Sequence, residues 1–264
     1  MQPFYEQFCE LLTTGVPFVC VTLVASMGSI PQQPGAKMLV TAQGLHVGTI
    51  GGGKIEFRAL EEAKALLAEA RNPVGQCIQF SEWNLNQDLS MSCGGSVKLV
   101  FEVINAQAWP IVVYGAGHIA QALIPILLTL DCQVTCIDTR ADWLAMLPVS
   151  PRITLIQTGD MPATVANLPE EAFVLLMTMG HGSDRPVLLE ILKTRQFPYL
   201  GVIGSRAKAA RLKKDIAEAG LPATCQEAFF CPVGLDLGNN QPPEIAVSVA
   251  AQLLKERDRW RNSP

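Results

Sequence analysis

Apolar and polar positions follow one rhythm in the first hundred residues and another in the rest. Residues 6–12 form a short amphipathic segment, and the β-branched apolar run at 18–24 reads as a strand. Two prolines and two glycines between 27 and 35 mark a turn, and short strands are expected at 36–41 and 45–49. Residues 54–71 have helical spacing, with Leu60, Ala63, Leu67 and Ala70 on one face and Arg58, Glu62 and Glu69 on another. Asn72-Pro73 should end that helix. The stretch 80–87 reads as a polar loop, 96–103 as a strand with single charges in an apolar run, and 105–110 as a linker.

From residue 110 the pattern becomes a repeated strand-then-helix unit. Short apolar runs at 111–114, 133–137, 153–157, 173–177 and 199–203 are separated by helical segments. The helix at 119–130 is apolar on nearly all sides, and the last, at 243–260, is apolar early and charged late. Such alternation predicts a parallel sheet covered by helices on both faces. The expected architecture is α/β: a Rossmann-like doubly wound sheet in the C-terminal half, residues 108–264, and a smaller α+β domain at 1–107.

The composition fits two packed cores: 49% of the 264 residues are hydrophobic and 17% charged. A net charge of -4 argues against general affinity for nucleic acid or anionic membranes, so any anion site must be local. Apolar runs such as 18–25 and 173–177 fall far short of the roughly 20 residues that span a bilayer, and the N-terminus has no leader-like pattern, which predicts a cytoplasmic protein. Eight scattered cysteines without a CxxC pair fit a reducing compartment.

Several constellations could carry chemistry. Gly115-Ala116-Gly117-His118-Ile119-Ala120 lies between a strand and a helix, with Asp138 closing the next strand, as a dinucleotide-binding turn requires. Gly115 would make the turn and Gly117 would admit a pyrophosphate, with His118 part of the phosphate turn. Asp138 could accept from a ribose hydroxyl and Arg140 could meet a phosphate, which leaves NAD(P) and other nucleotides open. Gly51, Gly52 and Gly53 also lead into a helix; three glycines exceed what a tight connection needs and could expose amides to an anion. Gly204-Ser205-Arg206 offers a third anion site, its alternative being a capped helix with a solvated basic face. Cys93, among glycines in Met91-Ser92-Cys93-Gly94-Gly95, is either a buried thiol or an accessible soft ligand. His181 and Asp184 follow the fourth strand of the second half, where Asp184 could instead cap the next helix.

Taken together, these segments resemble the XdhC/CoxI family. The resemblance runs through Gly28-Ser29-Ile30-Pro31, the GTIGGG turn with Ile55-Glu56, and MSCGG. It continues in GAGHIAQAL, Ile137-Asp138-Thr139-Arg140, Ile203-Gly204-Ser205-Arg206, the PVGLDLG segment at 232–238 and Pro243-Glu244-Ile245-Ala246. Met179 stands where many relatives have the first histidine of a Thr-His-x-His-x-x-Asp stretch. The resemblance implies a chaperone that binds the molybdenum cofactor, protects it, supports its sulfuration with a cysteine desulfurase, and inserts it into the apoenzyme of a xanthine-dehydrogenase-like molybdenum hydroxylase. It further implies a homodimer and a maturation factor rather than a catalyst, with Cys93 as the candidate molybdenum contact. Since Gly115, Asp138, His181 and Arg206 all follow strands of the expected parallel sheet, the carboxyl edge of that sheet is expected to face the Gly51–Gly53 turn and Cys93, with the ligand between the two domains. Two other readings compete: an NAD(P)-dependent oxidoreductase using His181 for proton transfer, and a nucleotide-sensing regulatory protein.

Overall fold

The computed structural model describes residues 2–28, 32–69, 77–88, 95–105 and 109–262. Cys93 and its neighbours Met91, Ser92 and Gly94 therefore lie outside the described residues, as do Ser29, Ile30, Pro31 and the expected helix stop at Asn72-Pro73. Contacts divide the chain into two compact units, Met1–Gln107 and Ala108–Pro264.

The first unit is a five-stranded antiparallel sheet ordered β3-β2-β1-β5-β4, built from β1 (Phe18–Met27), β2 (Lys37–Thr41), β3 (Gly44–Gly48), β4 (Ile78–Asn84) and β5 (Ser96–Ile104). Alternation assigns its two faces. Val19, Val21 and Leu23 of β1 face one side with Val97, Leu99 and Phe101 of β5, under Ile55, Ala59, Ala63 and Leu66 of α2 (Gly53–Glu69). Phe18, Cys20 and Leu39 face the other side, against Leu11, Phe4 and Phe8 of α1 (Gln2–Thr14).

The segment expected as a polar loop at 80–87 is in large part the edge strand β4. The apolar signal is inverted there. Phe80, at 77% exposure, and Ile78 point away from α2, while the polar Gln79 and Ser81 face inward and both donate to Glu62 of α2. Trp83, further along, does point inward to the core, so only the first half of the strand, where polar side chains bond inward, hides its alternation.

The second unit holds five parallel strands ordered β10-β9-β6-β7-β8: β6 (Trp109–Tyr114), β7 (Cys132–Asp138), β8 (Ile153–Gln157), β9 (Phe173–Leu176) and β10 (Tyr199–Val202). Phe230 adds a one-residue parallel bridge beside Gly201, so the loop that follows it leaves from the carboxyl end of β10. The fold is the Rossmann-like α/β fold, with its reversal of strand order between β6 and β9. Near-continuous apolar strands fit burial on both faces. One layer joins Ile111 and Val113 to α3 (His118–Leu127) and α7 (Pro242–Arg261); the other joins Val112 and Tyr114 to α5 (His181–Thr194) and α6 (Arg206–Glu218). The short α4 (Ala141–Ala145) follows β7. Among the described residues, no helix is long and apolar enough to cross a membrane.

Candidate functional site

The turn after β6 has a glycine that the fold demands and one that it does not. Gly115 has φ +104°, and a Cβ there would overlap the carbonyl oxygen of Met177 at the end of β9, so any other residue would force apart the two strands at the reversal. Gly117 has φ -69° and ψ -175°, and a Cβ would meet nothing within 4 Å. Neither backbone geometry nor packing among the described residues therefore requires glycine at position 117.

Asp138 ends β7 with its carboxylate already engaged. Oδ2 accepts from the Ala116 amide at 2.7 Å and from Nη2 of Arg140 at 2.8 Å; Oδ1 accepts from the Arg140 amide and from its Nε, each at 2.9 Å. Burial alone would raise its pKa, but the bonds from Arg140 and the two amides outweigh that and hold the carboxyl down at about 2. Arg140 also lies over the Trp143 ring at 4.6 Å, and His118 meets the same ring edge-on. The acid expected to read a ribose and the cation expected to read a phosphate thus satisfy one another.

The GTIGGG turn is likewise closed from within. Gly51, Gly52 and Gly53 all have positive φ, and the turn wraps the side chain of Glu56. Its Oε2 accepts from the hydroxyl of Thr49 at 2.6 Å, the Gly52 amide at 3.1 Å and the Ile50 amide at 3.4 Å, while the Gly51 amide donates to Thr49. The anion in this amide nest is the protein's own carboxylate.

An ion pair and a histidine–carboxylate contact lie beside the loops after β9 and β10. Asp184 is fully buried; it accepts from the amide of Thr178 at 3.1 Å and its hydroxyl at 2.6 Å, and from Nζ of Lys208, which also donates to the Ile203 carbonyl at 2.8 Å. Nε2 of His181 lies 2.9 Å from Asp215 of α6, whose other oxygen is 3.6 Å from Nε of Arg185; the buried Nδ1 of His181 has no partner among the described residues. Among those residues, no group of three or more His, Cys, Asp or Glu side chains could hold a metal ion.

A cleft of about 610 Å³ lies at the carboxyl end of β10, between the start of α3, the 232–240 loop and the start of α7. Of the residues singled out from the sequence, it collects Gly204, Ser205 and Arg206. Ser205 caps α6 by accepting from the Lys208 amide, and Arg206 is exposed with no hydrogen bond or ion pair among the described residues. Gly51, Gly52, Gly53, Gly115, Gly117, His118, Asp138, Arg140, His181 and Asp184 do not line it.

Residues 111–253 match the XdhC Rossmann domain, and residues 11–77 match the XdhC and CoxI family. The chain belongs to the XdhC and CoxI family. It is 29% identical over 258 residues to the Escherichia coli protein YqeB, an alignment covering 96% of this chain but 46% of YqeB, so the chain spans about half the length of that relative. It is 24% identical to PaoD of Escherichia coli, a molybdenum cofactor insertion chaperone, over 94% of this chain and 86% of PaoD. A Bacillus halodurans structure described as a xanthine dehydrogenase shares the fold, with 20% identity, a TM-score of 0.50 and coverage of 98% and 97% of the two chains.

Within this XdhC-type domain, sequence reasoning passed over Asp236. It lines the cleft, is exposed, and has no partner among the described residues. The available signal was a lone acid between leucines in the otherwise apolar PVGLDLG segment.

Proposed function

We propose that this chain binds the molybdenum cofactor as cargo, shields it, supports its sulfuration and passes it to the apoenzyme of a xanthine-dehydrogenase-like molybdenum hydroxylase. Membership of the XdhC and CoxI family and the likeness to PaoD support a maturation role. The observation that carries the reading is the cleft beside β10, whose exposed Arg206, without a partner among the described residues, suits the cofactor's phosphate. The other turns are less suited to an anion, since Glu56 fills one and Asp138 ties Arg140 into the other. That saturation also disfavours the NAD(P) oxidoreductase reading, which needs Asp138 free for a ribose.

Cys93 is the soft donor proposed for the molybdenum, on sequence grounds. A cysteine desulfurase and the client apoenzyme are the proposed partners, and a cytoplasmic homodimer the proposed form. The test is to purify the full chain from cells that make the cofactor, oxidise it, and measure the fluorescent pterin released per chain. Near-stoichiometric pterin is expected for the wild type, and much less for Cys93→Ser than for Cys132→Ser, whose buried thiol has its pKa pushed up to about 11 and is inert. Absence of pterin from the wild-type chain would overturn the reading, and full retention by Cys93→Ser would remove the sulfur contact.

A further inference from the structure

The helix that closes the second unit carries a polar stripe among apolar neighbours. Glu244, Ser248 and Gln252 of α7 recur at every fourth position, so they lie along one face of the helix on successive turns. Ala246, Val249, Ala250 and Leu253 pack instead into the core with Ile111 and Val113. Ser248 and Gln252 are buried too, at 4% and 7% exposure. Buried polar groups persist where something bonds them. All three positions of the stripe meet the same partner, the 232–240 loop that forms one wall of the cleft.

The contacts run in order along the helix. The Glu244 carboxylate accepts from the Asn239 amide. One turn on, the Ser248 carbonyl accepts from the Leu235 amide at 3.3 Å, and the Ser248 hydroxyl fills the space into which a Cβ on Gly234 would project. Another turn on, Oε1 of Gln252 accepts from the Gly234 amide at 2.6 Å and from the Tyr199 hydroxyl at 2.8 Å. Gly234 has φ +100°, so the backbone and the close approach of Ser248 both call for glycine there. Tyr199 is itself held: its ring stacks with those of Phe173 and Phe230, and a Cβ on Gly201 would overlap its hydroxyl and Val233. A single oxygen of Gln252 thus joins α7, the first residue of β10 and the loop.

From this arrangement we infer that Gln252 is the positioning residue of the cleft: by holding the Gly234 amide and the Tyr199 hydroxyl on one oxygen, it fixes the 232–240 wall against β10 and keeps the cleft in one shape. Gln252 does not line the cleft and acts through Gly234, which does. The inference goes beyond the cofactor reading and rests on it only for the cargo in the second of two measurements. A wall fixed before a ligand arrives loses little freedom on binding, whereas a wall that opens locally has to be ordered again and lets cargo leave. One oxygen serving two donors makes the position sensitive, because without it the Gly234 amide and a buried hydroxyl lose their acceptor together.

The test compares the full wild-type chain with Gln252→Met, which keeps the length of the side chain and removes the acceptor, and with Tyr199→Phe, which removes only the tie to β10. Val165→Ala is the control, a buried truncation in the layer of the sheet away from α7. In the first measurement, amide exchange is read residue by residue. Gly234 and Leu235 should lose about tenfold or more of their protection in Gln252→Met, beyond any loss shared by the amides of β6 and β9. Tyr199→Phe should give a smaller loss, about two- to fivefold, because the bond to Gly234 survives. In the second, chains purified with pterin from cofactor-producing cells are diluted and pterin release is timed. Release from Gln252→Met should be about tenfold or more faster than from the wild type, and release from Val165→Ala within about twofold of it.

Wild-type protection of Gly234 and Leu235 in Gln252→Met, or a loss no larger than that of β6 and β9, would overturn the inference. So would release from Gln252→Met at the wild-type rate, or release from Val165→Ala that is just as fast, since lost stability alone would then account for the effect. Should Gln252→Met fail to fold, Tyr199→Phe decides on the same readings: local loss at Gly234 with faster release supports the inference, and the lack of either overturns it. Failure of the cofactor reading is separate. A wild-type chain that carries no pterin overturns that reading, while amide exchange at Gly234 still decides the role of Gln252.

Discussion

The GTIGGG turn and the Gly204-Ser205-Arg206 turn look alike in sequence, each a glycine-bearing strand end leading into a helix, yet they arrive at opposite states. In the first, Glu56 from the following helix folds back and takes the amides of Ile50 and Gly52 together with the Thr49 hydroxyl. In the second, the polar side chain on the cap satisfies the helix, and Arg206 faces a cleft of about 610 Å³ with no partner of its own. An amide-rich turn is thus an opportunity that the protein's own side chains can occupy first. What separates a ligand site from a self-satisfied turn is whether a group of opposite character is left over once the internal bonds are made.

The largest expected effect lies behind the open site. Asp184 and Lys208 join the loops after β9 and β10, with Asp184 wholly buried. Asp184→Ala would strand a mostly buried ammonium and two donors of Thr178, so chemical denaturation should show a loss of about 3–5 kcal/mol. A loss below about 1 kcal/mol would mean that this brace does not hold the cleft, and that its openness has another cause.

Next in size is the acid response of the closed turn at Asp138. Its folded pKa, about 2, lies below the usual carboxylate value near 3.9, so its contribution is present in full above about pH 4 and is lost as pH falls toward 2. The shift corresponds to about 2 kcal/mol over that window. Asp138→Asn should flatten that part of the stability profile; an unchanged slope in the variant would show that Arg140 does not engage Asp138 in solution.

A smaller change is expected at Glu56. Glu56→Gln keeps the shape and weakens the charge-assisted bonds to the turn, costing about 1 kcal/mol in denaturant unfolding. Retention of pterin should be unchanged, and its loss would place the GTIGGG turn among the ligand contacts. Smallest of all is Gly117→Ala, which meets open space at an ordinary φ and should shift stability by less than about 0.5 kcal/mol. If it nevertheless lowers pterin retention, the ligand reaches the start of α3; if it does not, the cargo stays on the β10 side.

The parallel sheet was readable because its central strands are buried on both faces and are apolar throughout, as at residues 111–114 and 173–176. Edge strand β4 was not, because Phe80 and Ile78 turn outward while Gln79 and Ser81 satisfy Glu62 inside. Turn glycines were legible for a similar reason: Gly115 and Gly51–Gly53 sit at positive φ, a local demand written one residue at a time.

The amino-acid sequence by itself determined the alternation of strands and helices, the family, and the types of residue at each strand end, since these depend on local period and local backbone preference. Only the tertiary structure decided which of the polar groups remain available. Glu56 is consumed by the turn just before it, and Asp138 by Arg140 and by the Ala116 amide 22 residues earlier; Asp184 is consumed by Lys208, 24 residues away. Arg206 and Asp236, 30 positions apart, are instead left to face one cleft. Pairing depends on distances and directions in three dimensions, and residue spacing along the chain does not contain them.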